Sequence, residues 1–265
     1  MISDAVLYTV DGHIAKITLN RPDRLNAIDH DTATLLDGFC HQAAEDDDVR
    51  VVVITGNGSS FCAGADLRAT SDSPSDNNNT PEANLRHTGH LGWSALNLFR
   101  VDKPTIAAVK GNVVGGGLGL ALSCDIRIAT QGTRFSAMFV KRGLTPDSGV
   151  SFLLPAVVRY PRAAELVLTS RFVNAKEALS IGLVNHVVEE DILTSAALDM
   201  ASQIAESAPV AVRLSKRSLR QALNREAIAA FEYESYGGLI TAKTQDRLEG
   251  RQSFLEGRSP RWTGH

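Results

Sequence analysis

KPTIAAVKGNVVGGGLGLALSCDIRIA, residues 103–129, is the stretch whose reading decides the fold. Its run TIAAV at 105–109 is apolar at nearly every position, as a strand covered on both faces must be, and it ends at Gly111. Three glycines at 115–117 then open GGGLGLAL, where a helix is expected to begin, and IRIA at 126–129 follows as another strand. Strand, glycine turn, helix and strand in that order read as an α/β chain.

The same grammar runs upstream. VVVIT at 51–55 is a second buried strand and is followed by FCAGADL at 61–67. Residues 29–44 show helical spacing behind a capping aspartate, and HIAKITL at 13–19 alternates like a half-buried strand after the hairpin signal Asp11-Gly12. Beyond Arg162 strand signals nearly vanish. Pro161 can start a helix, and amphipathic patterns follow at 175–181, 191–205, 210–223 and 226–255. This C-terminal third reads as a helical module for packing and subunit contact. Residues 68–90, with SDSPSDNNNTP in their middle, have little to bury and read as a surface loop or a flap over a substrate.

The bulk numbers exclude several classes. A net charge of -3 gives no global pull toward nucleic acid or an anionic membrane, so an anionic ligand must be held locally. The densest basic run, RLSKRSLR at 213–220, has the spacing of a solvated helix face. Cys40, Cys62 and Cys124 are odd in number and without a CxxC pair, which suggests reduced thiols rather than a disulfide framework or a zinc site. No stretch reaches the ~18 consecutive apolar residues of a membrane span, and a cytoplasmic protein is expected.

The two glycine-rich segments each follow a buried strand. Glycine lets backbone approach a ligand closely, and a helix starting inside GGGLGLAL would direct its positive end to the same place. A dinucleotide fingerprint fails because Leu120 stands where its last small residue belongs, and no GK[ST] follows for a phosphate loop. The glycines read equally well as sites of close helix packing.

LNRPDRLNAID (19–29), VVVITGNGSSFCAGADL (51–67) and the 103–129 stretch, in this order, resemble the crotonase (enoyl-CoA hydratase/isomerase) superfamily. The likeness continues through RFSAMFVKRGLTPDSGVSFLLP (134–155), AAELVLTSR (163–171), the A-x-E-A-x-x-x-G-L-V-N pattern at 175–185 and the closing SFLEGRSPRWTG. It implies a spiral of strand-strand-helix turns over residues 1–200, carrying an acyl-coenzyme A site, and a helical region over 201–265 that drives trimers or paired trimers. It also implies that the backbone N–H groups of Ala65 and Gly116 form an oxyanion hole for a thioester carbonyl. Arg24, Leu25, Ala27, Ala63, Asp66 and Leu67 would line the coenzyme A path, with Gly115 and Phe139 also contacting the acyl-CoA. Arg24 reads equally as a solvated charge and Asp66 as a helix N-cap. No metal or redox cofactor is implied, since the coenzyme A belongs to the substrate.

Hydratases of this superfamily hold a water between two glutamates. Matched by motif, those positions are Gly119 and Phe139 here, and neither can exchange a proton. The remaining carboxylate of this stretch is Asp147, flanked by Leu144, Val150, Phe152 and Leu153, and apolar surroundings raise a carboxyl pKa. Asp147 matches the catalytic aspartate of the enoyl-CoA isomerases, the phenylacetate-pathway ring-epoxide isomerase and the chlorobenzoyl-CoA dehalogenases. The dehalogenases' histidine falls on Gly92, which argues against that chemistry; His87 and His90 read as loop histidines. One carboxylate suffices to isomerise a 3-enoyl-CoA to a 2-enoyl-CoA. The alternatives are a hydratase working with Asp147, a non-catalytic acyl-CoA binder, and a structural role for Asp147 as a turn residue capping a helix at Ser148. Phe99, Met138 and Phe139 are expected in the acyl pocket or the core beside it.

Overall fold

The computed structural model describes residues 4–68, 90–223, 235, 239 and 242–261. The chain opens with an antiparallel hairpin, β1 (Val6–Asp11) against β2 (Ile14–Leu19), with Val6 opposite Leu19. Asp29 accepts the Thr32 backbone N–H at 2.9 Å and so caps α1 (His30–Glu45), whose Leu36, Cys40 and Ala43 fall on one buried face. β3 (Val51–Gly56) then lies parallel to β2, and α2 (His90–Arg100) leads to β4 (Thr105–Val109) beside β3.

From here the chain repeats one unit. β4 turns at Gly111 into β5 (Asn112–Val114) and α3 (Gly116–Ser123); β6 (Ile126–Thr130) turns into β7 (Arg134–Ser136), a 3-10 turn (Val140–Arg142) and α4 (Val150–Val158). α5 (Tyr160–Thr169), β8 (Val173–Asn174), α6 (Ala175–Ser180), β9 (His186–Val188), α7 (Leu193–Ala205), α8 (Pro209–Leu223) and α9 (Gln245–Glu256) complete the described elements. The large sheet has the order β1-β2-β3-β4-β6-β9, parallel from β2 onward, and β5-β7-β8 form a second, smaller sheet. β5, β7 and β8 are two or three residues long, too short for a periodicity to reveal them; pairing alone makes them strands.

The uniform apolar runs are explained by two cores. Val52, Ile54, Ala107 and Val109 enter the main core, while their neighbours Val51, Val53, Ile106 and Ala108 face α7. Helix α7 meets them with Leu193, Ala197, Ala201 and Ala205, a four-residue spacing that lets the helix lie close.

Residues 200 and 201 lie within α7. Two C-terminal expectations change. The 226–255 pattern is not one helix, because residues 242–244 turn and Thr244 caps α9 through the Arg247 N–H at 3.0 Å; most of 224–241 lies outside the described residues, as does the 69–89 loop with His87. The basic run of α8 is docked rather than solvated. Lys216, 7% exposed, donates to Lys103 O at 2.7 Å and pairs with Asp125, Arg220 also pairs with Asp125 and covers the Phe99 ring at 4.2 Å, and Arg213 pairs with Asp102. Two aspartates far off in sequence recruit the cations, which charge spacing along one helix does not reveal. Among the described residues, no helix is long and apolar enough to cross a membrane.

Candidate active site

Two backbone N–H groups without a protein partner among the described residues mark the site. The 61–64 segment pairs with β5: Phe61 N donates to Lys110 O at 2.7 Å, Cys62 N to Asn112 O at 3.1 Å, and Val114 N returns to Cys62 O at 3.0 Å. At Gly64 the backbone turns through φ +93°, and a Cβ there would stand 2.9 Å from Val114 O and 3.4 Å from Gly116 N. The glycine thus brings residue 65 against the start of α3. Asp66 N bonds Ile28 O and Ile28 N bonds Gly64 O, so Ala65 is held on both sides while its own N–H has no protein partner among the described residues. Gly115, at φ +55° and ψ -123°, donates to Ser136 O at 2.9 Å and turns the chain into α3. Gly116 is the first residue of that helix, where an N–H has no intrahelical acceptor, and it too has no partner among the described residues.

Both residues line a cavity of about 380 Å3. All eleven residues singled out from the sequence line it: Asp147, Ala65 and Gly116, then Arg24, Leu25, Ala27, Ala63, Asp66, Leu67, Gly115 and Phe139. Asp147 precedes the α4 cap, Gly149, by two residues, so it is not the residue that caps that helix. Its Oδ1 accepts the Ser148 hydroxyl at 2.7 Å. Burial pushes its carboxyl up to about 6, and the Ser148 hydrogen bond opposes that rise. Gly119, on α3, packs against the Ser148 backbone, and Phe139 is 4% exposed at the cavity wall.

The remaining predicted residues divide by role. Leu25 sits at φ 51° with its carbonyl accepting Ala63 N at 3.0 Å, a tie between the two cavity-lining segments. Arg24 lies at the rim, 41% exposed, 3.6 Å from Asp23. Asp66 accepts Arg21 at 2.8 Å and Arg68 N at 3.1 Å; its reading as a helix N-cap falls on residues 69 onward, which lie outside the described residues. Met138 lines the cavity, whereas Phe99 belongs to the core under Arg220.

Several contributors escaped the sequence reading. Arg21 bridges Asp29 and Asp66 and donates to Ala27 O, and buried Asn26 accepts Arg21 N while donating to Asn57 O and Ser60 O. Together they brace the segment that carries Leu25 and Ala27. Phe254 of α9 reaches the cavity within the same chain and is stacked by Arg142 at 4.4 Å, so the C-terminal region helps to build the site. Arg251 Nε also donates to Leu67 O at 2.8 Å. A Cβ at Gly143 would meet Asp246 O at 2.6 Å, and one at Gly250 would meet Arg142 O at 2.6 Å. The signal was present: a glycine inside a helical pattern marks a close approach. Its partner could not be read from it. No group of three or more metal-ligating side chains occurs among the described residues.

A spiral α/β fold around one apolar, glycine-floored cavity defines a protein of the crotonase type. The comparisons agree. The enoyl-CoA hydratase/isomerase family model matches residues 9–265. The chain is 38% identical over 257 residues to a short-chain-enoyl-CoA hydratase of Clostridium acetobutylicum, covering 96% of this chain and 95% of that protein. It superposes on a carnitinyl-CoA hydratase from Mycobacterium avium with a TM-score of 0.86 at 36% identity, covering 99% and 100% of the two chains. A monofunctional enoyl CoA isomerase from M. smegmatis gives a TM-score of 0.72 at 34% identity over 86% and 98%. The chain belongs to the enoyl-CoA hydratase/isomerase family, within the crotonase superfamily.

Proposed function

We propose that this protein is an enoyl-CoA isomerase that converts 3-enoyl-CoA into 2-enoyl-CoA with one base. The observation that carries this reading is that Asp147, raised to about 6 by burial, lines the cavity shared with the Ala65 and Gly116 N–H groups, while Gly119 and Phe139 stand where a hydratase has its glutamates. Asp147 takes a proton from C2 of the substrate. The negative charge moves onto the thioester oxygen between the two N–H donors, each worth about 3 kcal/mol toward the enolate in a water-poor site. Protonated Asp147 then returns its proton to C4, the double bond comes to rest between C2 and C3, and the base is regenerated. With a pKa of about 6 the carboxyl is mostly ionised above pH 7, as a base must be.

In this reading Arg24, Leu25, Ala27, Ala63, Asp66 and Leu67 follow the coenzyme A, with Gly115 and Phe139 beside the acyl group. No cofactor beyond the substrate's own coenzyme A is required. The C-terminal helices are proposed to support a homotrimer or a dimer of trimers.

A hydratase is the second reading, favoured by the 38% identity to a protein of that name. Purified protein mixed with 3-hexenoyl-CoA separates the two. A rise in conjugated-enoyl absorbance without a mass change, lost in Asp147→Asn, is the expected result; 2-enoyl-CoA gaining one water, with no double-bond shift, overturns it.

A further inference from the structure

The carboxylate at 147 sits on an unusual piece of chain. Ser148, 1% exposed, has φ +55°, a conformation that L side chains seldom keep unless their surroundings impose it, and Gly149 follows at φ +77°. What imposes it is α3. A Cβ on Gly119 would stand 2.5 Å from the Ser148 Cβ and 2.6 Å from its carbonyl oxygen, so any larger residue at 119 would displace this turn. Seated there, the Ser148 hydroxyl points back along the chain and donates to Asp147 Oδ1 at 2.7 Å. Oδ2 has no protein partner among the described residues.

We propose that Ser148 is the positioning residue of the Asp147 base: its hydroxyl occupies Oδ1 and fixes the carboxylate, so that Oδ2 is the oxygen presented to the substrate. Gly119 is the counterpart that makes room for it. The glycine in place of a glutamate and the aspartate at 147 are therefore one arrangement, since the turn carrying the base occupies the space a side chain at 119 would need. The inference rests on Asp147 being the base.

Among the described residues, charge around the carboxylate is sparse. Helices α3 and α4 carry no ionisable side chain. Among the described residues, the other charged residues lining the cavity are Asp23, Arg24, Asp66, Arg68 and Arg142, with Lys141 on the adjoining 3-10 turn. Burial and the Ser148 hydroxyl are what act on Asp147, in opposite directions. A donor to the ionised form favours that form, so removing it must move the carboxyl further up.

The test compares wild type, Ser148→Ala and Ser148→Gly across pH in the 3-hexenoyl-CoA assay, with the Asp147 carboxyl titrated in parallel by NMR after carbon-13 labelling of aspartate. Glycine removes the hydroxyl and at the same time relaxes the positive φ, so a shift common to both variants belongs to the hydroxyl. The acid limb of kcat/KM and the NMR titration are expected to move upward together by about one pH unit. KM should stay near its wild-type value. An even loss of activity at all pH values, with both titrations unmoved, overturns the proposal and leaves Ser148 a packing residue. If the wild type shows no isomerase activity, the base assignment fails, while the NMR titration still decides whether Ser148 holds the carboxylate.

Discussion

The two functional walls of the cavity are built in opposite ways. On one side, Ala65 and Gly116 offer backbone N–H groups, held by the bridge to Ile28, the bond from Gly115 to Ser136 and the crossing at Gly64. On the other, the proposed base is a single side chain, Asp147, on a strained turn against α3. Short of proline, no change of its own side chain deletes a backbone donor; it can only be moved, and moving it disturbs the fold. The carboxylate can be neutralised with little change of shape. Site and scaffold coincide on the glycine wall and come apart on the aspartate wall.

The sharpest way to break this contrast is Asp147→Asn. In the proposed mechanism kcat falls by roughly 10²- to 10⁴-fold, the usual contribution of a positioned base. Stability should move the other way. A carboxyl whose folded pKa lies at about 6, above its ordinary value, binds its proton more tightly when folded, so the wild type loses stability as pH rises from ~4 to ~6 and the asparagine variant does not. Discounted for the opening onto the cavity, the gain at pH 8 is roughly 1–2 kcal/mol, read as a higher Tm. A lower Tm in the variant would contradict the buried-charge account.

Gly64→Ala tests the other wall. The methyl would press on Val114 O at 2.9 Å and the residue would be held at φ +93°, shifting Ala65 away from Gly116. Here activity and Tm should fall together, with kcat down roughly 10²-fold, the effect of losing one oxyanion donor. Unchanged kcat would mean that the two N–H groups do not act on the substrate. The smallest expected effect is at Phe254→Ala. This half-exposed ring lines the cavity from α9, and its removal should raise KM by roughly three- to tenfold with kcat retained, because it contributes apolar area rather than chemistry.

Legibility in the sequence followed the range of the forces involved. The 105–109 and 51–55 runs, the Asp29 cap and the helix opening at Gly116 were readable because periodicity and capping act over a few residues. The C-terminal basic run misled for the complementary reason: its acceptors, Asp102 and Asp125, lie about a hundred residues away, and nothing in RLSKRSLR announces them. Phe254 was assigned to a packing module because Gly143 and Gly250 do not name each other.

By itself, the sequence determined the α/β class, the order of the longer strands and helices, the family, and that Gly119 and Phe139 carry no proton-exchanging group while Asp147 follows them in the chain. The tertiary structure alone decided that two glycine segments about fifty residues apart bring N–H groups with no partner among the described residues to the lining of one cavity, that Arg21 and Asn26 brace its rim, and that Gly119 seats the turn bearing Asp147. Residue type and spacing encode what a chain does locally. Close approach between distant backbones depends on the packing of everything between them, and only the folded molecule resolves it.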